Sequence, residues 1–195
     1  MSDKDALAKQ AALRTVSNNG LQIMFIDEKF KKDKDVVLAA VKSESQALLY
    51  CGDFNQNEKI VLAAMKNGKE WKVYEYAHIS VRENRKIAML ALKESGAALQ
   101  HVPMSLKKDK DFTLEAVTLH WEALRYAPLE WQQDRDVVIA AVSQNWRALQ
   151  LAGSKMKRDK EVLAAVAQAC GRKSSGKPAV KKPAAKRPAA KRLAA

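Results

Sequence analysis

Residues 33–41 read DKDVVLAAV, residues 109–117 read DKDFTLEAV and residues 134–142 read DRDVVIAAV. Looser copies stand at 57–65 (NEKIVLAAM) and 84–92 (NRKIAMLAL), and a shortened one, DKEVLAAV, at 159–166. The leading Asp or Asn falls at 33, 57, 84, 109, 134 and 159, at spacings of 24 to 27 residues. Self-similarity at such a period is the signature of stacked supersecondary units.

Each copy has two halves. The Asp or Asn suits a helix N-cap, because its side-chain oxygen can accept from the unpaired amides of the first turn. Acids two positions on (Asp35, Asp111, Asp136, Glu161) suit the positive end of the helix dipole. Val37, Ala40 and Val41 then share one face at i, i+3, i+4 spacing, with Val36 beside them. A second stretch follows: KSESQALLYC after Val41, KESGAALQHV after Leu92, TLHWEALRYA after Val117 and SQNWRALQLA after Val142. It predicts a short helix of one to two turns. SNNGLQIMFI after Val16 marks an earlier copy over 8–30 without an Asp start, and the copy after Met65 aligns only with one or two inserted residues, with Trp71 displaced.

A helix of this length cannot bury its apolar stripe alone but can when stacked on its neighbour. The expected fold is therefore all-α: an α-solenoid of six to seven 25-residue helix–turn–short-helix repeats over residues 1–171, followed by a disordered basic tail over 172–195. No period-2 alternation persists, which argues against strands.

The pattern D-[KR]-[DE]-V-V-x-A-A-V-x-x-x-[GW]-x-A-L-x-[YF]-A, carried best by 33–52, 109–127 and 134–152, resembles a helical repeat found in many protist and algal proteins and catalogued as a domain of unknown function. The resemblance covers about 8–170. It implies the repeat architecture and assigns no catalytic residue.

The net charge of +13 is unevenly spread. Residues 172–195 hold nine basic residues and no acid, whereas residues 1–171 hold 26 basic and 22 acidic ones. In the tail, Pro178, Pro183 and Pro188 recur every five residues, which prevents a continuous helix, and uncompensated charge opposes collapse. Its composition resembles the Lys-Ala-Pro tails of linker histones and some ribosomal proteins. Lys177, Lys181, Lys182, Lys186, Arg187, Lys191 and Arg192 are the candidate nucleic-acid-binding or import residues. They can neutralise phosphates without reading bases, and their paired clusters suit a nuclear import signal. A merely solubilising tail is the plain alternative. The tail has no aromatic residue, so a membrane partner is not expected.

The body offers little for chemistry. Two cysteines and three histidines show no C-x-x-C or H-x-x-x-H spacing, and the glycines form no phosphate loop. No enzyme activity, metal or cofactor is expected. His101 shares a slot with Phe25, Tyr50, Tyr126 and Leu151 and is expected as a packed core ring. Cys51 shares a small buried slot with Val102 and Ala127. Trp121 and Trp146 occupy one slot and either fill the seam between repeats, the favoured reading, or form an aromatic ledge. Trp131 is expected in a loop as the more exposed ring. The basic loop residues, such as Lys107, Lys108 and Lys110, alternate with Asp109 and Asp111, which predicts a solvated rim of weak ion pairs.

Two functions compete: a non-enzymatic helical-repeat scaffold whose tail binds DNA or RNA non-specifically, in chromatin or a ribonucleoprotein, or a protein–protein interaction module whose tail only localises it. MSDKDALAKQ has two acids and no apolar stretch, so a secretory leader is not expected. An intracellular and preferentially nuclear location is expected, with a ribonucleoprotein particle in cytoplasm or organelle as the alternative.

Overall fold

The structure, a computed structural model, describes residues 3–68 and 71–172. The sequence elements that fall on 173–195, including all seven candidate tail residues, lie outside the described residues. Long helices set the array: α1 (Asp3–Asn18), α2 (Lys34–Ser43), α3 (Glu58–Gly68), α4 (Arg85–Glu94), α5 (Lys110–Leu119), α6 (Arg135–Gln144) and α7 (Lys160–Arg172). No strand occurs among the described residues. The fold is an all-α solenoid.

Six of these helices start where the Asp or Asn predicts. The Oδ1 atoms of Asp33, Asn57, Asn84, Asp109, Asp134 and Asp159 each accept from the amide two residues on, at 2.9–3.1 Å. The apolar stripe is buried as its spacing requires: Val36, Val37, Ala40 and Val41 in α2, and Val137, Val138, Ala141 and Val142 in α6, are all 0% exposed. Alanine at the contact positions lets adjacent helices approach closely. The first copy starts earlier than the sequence predicts, because α1 opens at Asp3 and runs through residue 8 without interruption.

The second half of five copies is a tight 3-10 turn rather than an ordinary helix: Gly20–Met24, Ser45–Tyr50, Gly96–His101, Trp121–Tyr126 and Trp146–Leu151; in the copy after Met65 it is the four-residue helix Val73–Tyr76. A single extended residue joins it to the long helix, for example Asn145 at φ −148°, ψ 117°. Bonds of the i→i−3 type close the segment. Ala148 N donating to Asn145 O at 2.9 Å is one of them.

The connecting segment has structure of its own. Four-residue helices stand at Glu28–Lys31, Ile79–Arg82, Met104–Lys107 and Leu129–Gln132, with short 3-10 turns at Gly52–Gln56 and Met156–Arg158. Pro103 and Pro128 precede two of them, where a missing amide and a preset φ cost nothing. The unit is thus three-part.

Residue 71 onward is in register with the other copies, contrary to the displacement expected of Trp71. Val73 and Tyr74 take the slots of Ala98 and Leu99 and are fully buried. Tyr74 is long enough to reach past that slot and donates its hydroxyl to Arg82 O at 2.6 Å, as a buried phenol requires. The extra length of this copy falls between α3 and Trp71. Consecutive long helices pack on each other, but the junction from α3 to α4 is looser, and contact there passes chiefly through Val73–Tyr76 against Gly96–His101.

Candidate interaction surfaces

The stack brings the loop charges into a ladder between repeats. In the aligned copies the residue after the cap is a cation at Lys9, Arg85, Lys110 and Arg135, and it reaches the cap of the next helix. Lys9 Nζ lies 2.7 Å from Asp33 and 3.0 Å from Asp35. Lys110 Nζ lies 2.7 Å from Asp134 and 2.8 Å from Asp136. Arg135 holds Asp159 and Glu161, each at 3.0 Å, and Arg85 holds Asp109 at 3.0 Å and Glu115 at 2.9 Å. The acids at 35, 136 and 161, placed by the sequence at the helix dipole and on the mixed-charge rim, tie one repeat to its neighbour.

The caps respond to this. Burial pushes the Asp134 carboxyl up, but Lys110 and the amides of Val137 and Asp136 outweigh it and hold the group below the usual carboxylate range. Lys110 is raised in turn, first by the hydrogen bonds to Asp134 and Asp136. The ladder breaks at two successive steps, and at the first of them Lys34 would meet the neutral cap Asn57 and the like-charged Lys59. At the next step Asn84 Nδ2 donates to Glu58 at 2.8 Å instead.

Cross-links to backbone carbonyls run parallel to the ladder. Gln144 Nε2 donates to Val117 O and Thr118 O at 2.7 and 2.6 Å, satisfying the last carbonyls of α5. His120 Nε2 meets Lys93 O at 3.2 Å, and Arg82 Nη1 donates to His101 O at 2.9 Å.

The rings do not all lie where their slots suggest. Phe25 is 77% exposed and Tyr50 39% exposed, so the slot they share with His101 is a rim and not core. His101 is half-buried: its ring centroid lies 5.9 Å from that of Trp71, and its Nε2 is 3.7 Å from Glu75. Burial lowers its pKa, Glu75 opposes this, and Arg82 and Lys107 lower it further. Trp121 packs half-buried against the core, as the seam reading requires. Trp146 is 36% exposed instead, with the Arg147 guanidinium 5.6 Å over its ring. Trp131 is not the exposed ring. It sits in the helix Leu129–Gln132, packs against the core and donates Nε1 to Lys107 O at 2.7 Å. The spacing of Trp131 from Lys107 gave no signal of this bond, because it depends on how two repeats stack.

Cys51 is buried as its slot predicts, and burial pushes its thiol up to about 12. Among the described residues no three His, Cys, Asp or Glu side chains converge as a metal site. No helix among them is long and apolar enough to cross a membrane. Two open depressions lie along the long helices, one lined by Ser17, Asp35, Leu38, Ala39, Lys42 and Ser43 and the other by Lys42, Lys59, Leu62, Ala63, Lys66 and Asn67.

These features define a helical-repeat protein whose units are joined by a charge ladder. The chain belongs to the family described as Domain of unknown function (DUF4116), whose model matches residues 9–55, 84–132 and 109–157. Each match spans two adjacent copies, and the last two overlap with a shift of one repeat. Comparison with curated proteins and with solved structures gave no match.

Proposed function

We propose that this chain is a non-enzymatic scaffold whose repeat body holds a protein partner and whose basic tail binds DNA or RNA without sequence preference. The observation that carries the reading is the segregation of charge. The 26 basic residues of 1–171 stand among 22 acids, and four of them (Lys9, Arg85, Lys110 and Arg135) are engaged in the ladder that joins repeats, whereas the nine cations of 172–195 have no acid in their own segment. Such a segment engages phosphates by counterion release and contacts them without base readout. A chromatin or ribonucleoprotein setting suits it, and the pairs Lys181-Lys182, Lys186-Arg187 and Lys191-Arg192 suit nuclear import.

The test compares the full chain with a variant in which those six residues are Gln. Binding to a DNA duplex and to a single-stranded RNA is measured from low to physiological salt. The full chain should give a log–log salt slope on duplex of about −8, and the variant about −3. Equal affinity of the two proteins at both ends of the salt range refutes the reading. Loss of nuclear location without any nucleic-acid affinity in the full chain favours the tail as a localisation signal alone.

A further inference from the structure

The junctions α1 to α2, α5 to α6 and α6 to α7 share one rule, in which the cation after the cap position holds the next cap Asp and the acid two residues on, and α7 presents one half of it with nothing opposite among the described residues. In α6 the residues Val138, Ala141 and Val142 are all 0% exposed, and α6 packs both on α7 and on the turn Trp146–Leu151 of its own copy. The aligned residues of α7 are Leu163, Val166 and Ala167. Leu163 is 43% exposed, Val166 is only partly buried and Ala167 is exposed. The opposite side of α7 is occupied, since Val162 is fully buried against the preceding repeat.

The polar half is open in the same register. Lys160 aligns with Lys110 and Arg135, each of which holds the cap Asp and the acid two residues on in the following helix. Lys160 is exposed and has no ion-pair partner among the described residues. Cation and apolar patch therefore stand in the arrangement that receives another repeat at the junctions α5 to α6 and α6 to α7.

We propose that the outer face of α7 is a docking site for a helix of a partner polypeptide that opens with Asp-x-(Asp or Glu) and carries a branched or aromatic residue directly after. The Asp pair would take Lys160, and the apolar residue would cover Leu163 and Val166, as Val162 covers α6. Charge complementarity and continuity with the interior junctions select this occupant. The sequence of 173–195 lacks the pattern: it contains no acid, and Val180 and Leu193 are its only larger apolar residues. The outer side of α1 does not supply it either. At the aligned positions it has Ala8, Gln10 and Ala11 where the copies at 33, 109 and 134 have Asp, a second Asp and Val or Phe, so head-to-tail assembly of this chain lacks the matching half. The inference is independent of the tail's proposed affinity for nucleic acid.

The probe is a labelled synthetic peptide with the sequence of residues 134–152, which carries the Asp-x-Asp-Val opening, titrated into the full chain by fluorescence anisotropy. Binding should weaken at least tenfold in Lys160→Glu and in Leu163→Asp, with melting of both variants unchanged because both side chains are exposed. A peptide carrying D134K and D136K should bind K160E more tightly than it binds the unaltered protein. No binding to the full chain, or binding to either variant as tight as to the unaltered protein, overturns the proposal. Binding only after deletion of 173–195 overturns it in favour of the chain's own tail as occupant. A dimer of the full chain in sedimentation that Leu163→Asp dissolves overturns it in favour of a second copy.

Discussion

Asp134 serves two elements at once, and substitution can separate them. Its Oδ1 accepts from Asp136 N at 3.0 Å and Val137 N at 3.2 Å, and its Oδ2 receives Lys110 Nζ at 2.7 Å. Asp134→Ala removes both roles. Loss of the cap costs about 1 kcal/mol. The ion pair is partly solvated, and Lys110 keeps Asp136 at 2.8 Å, so its loss adds at most about 1 kcal/mol. A total near 2 kcal/mol corresponds to a melting shift of about 4–8 °C for a chain of this size. Asp134→Asn keeps the cap, as Asn57 and Asn84 do in their own copies, and should lose only the ion pair, about 0.5 kcal/mol. Urea unfolding of the three proteins at low and high salt is the assay. In about 1 M salt the Asn variant should approach the parent while the Ala variant stays weaker, because screening reaches the ion pair and not the cap. The pH dependence has a definite sign. The folded carboxyl lies below the unfolded one, so its charge-dependent stabilisation is present above about pH 3.9 and is lost as pH falls through the lower folded value. Equal loss in the Asn and Ala variants at every salt concentration would refute the division into cap and ladder.

Three further outcomes follow from the packing. Leu124→Ala should cost about 2–5 kcal/mol, because Leu124 is fully buried, whereas the aligned Leu149 is only partly so and Leu149→Ala should cost less in the same urea titration. Gly96→Ala should destabilise by about 1–3 kcal/mol, since an added Cβ would lie 2.8 Å from His120 Cβ and 2.9 Å from Ala123 N; a neutral result would show that the junction of the two 3-10 turns gives way freely. His101 titrates below its unfolded value, so its contribution to stability is present above about pH 6.5 and is lost as pH falls through the folded value; His101→Phe should remove that slope, as read from melting between pH 7.5 and 5, while keeping the fold.

The sequence alone determined the long helices and their starts, because both follow from interactions within a few residues. An Asp at 33, 109 or 134 caps the amides just ahead of it, and an i, i+3, i+4 apolar stripe has one way to be buried once a similar stripe recurs about 25 residues later. It also placed Cys51 correctly, since the slot is small in the aligned copies. Tertiary structure alone decided what depends on the stacking of one unit on the next. The 3-10 form of the second element, the register recovered at Trp71, the rim position of Phe25 and Tyr50, and the bond from Trp131 to Lys107 O all require the spatial offset between repeats. The ladder is the plainest case. The sequence shows Lys110, Asp134 and Asp136 as a mixture of signs on one edge, and their separation of 24 to 26 residues carries no sense of contact. Only the rise from one helix to the next brings that ammonium to both carboxylates, and the same rise leaves Lys160 beside the uncovered side of α7.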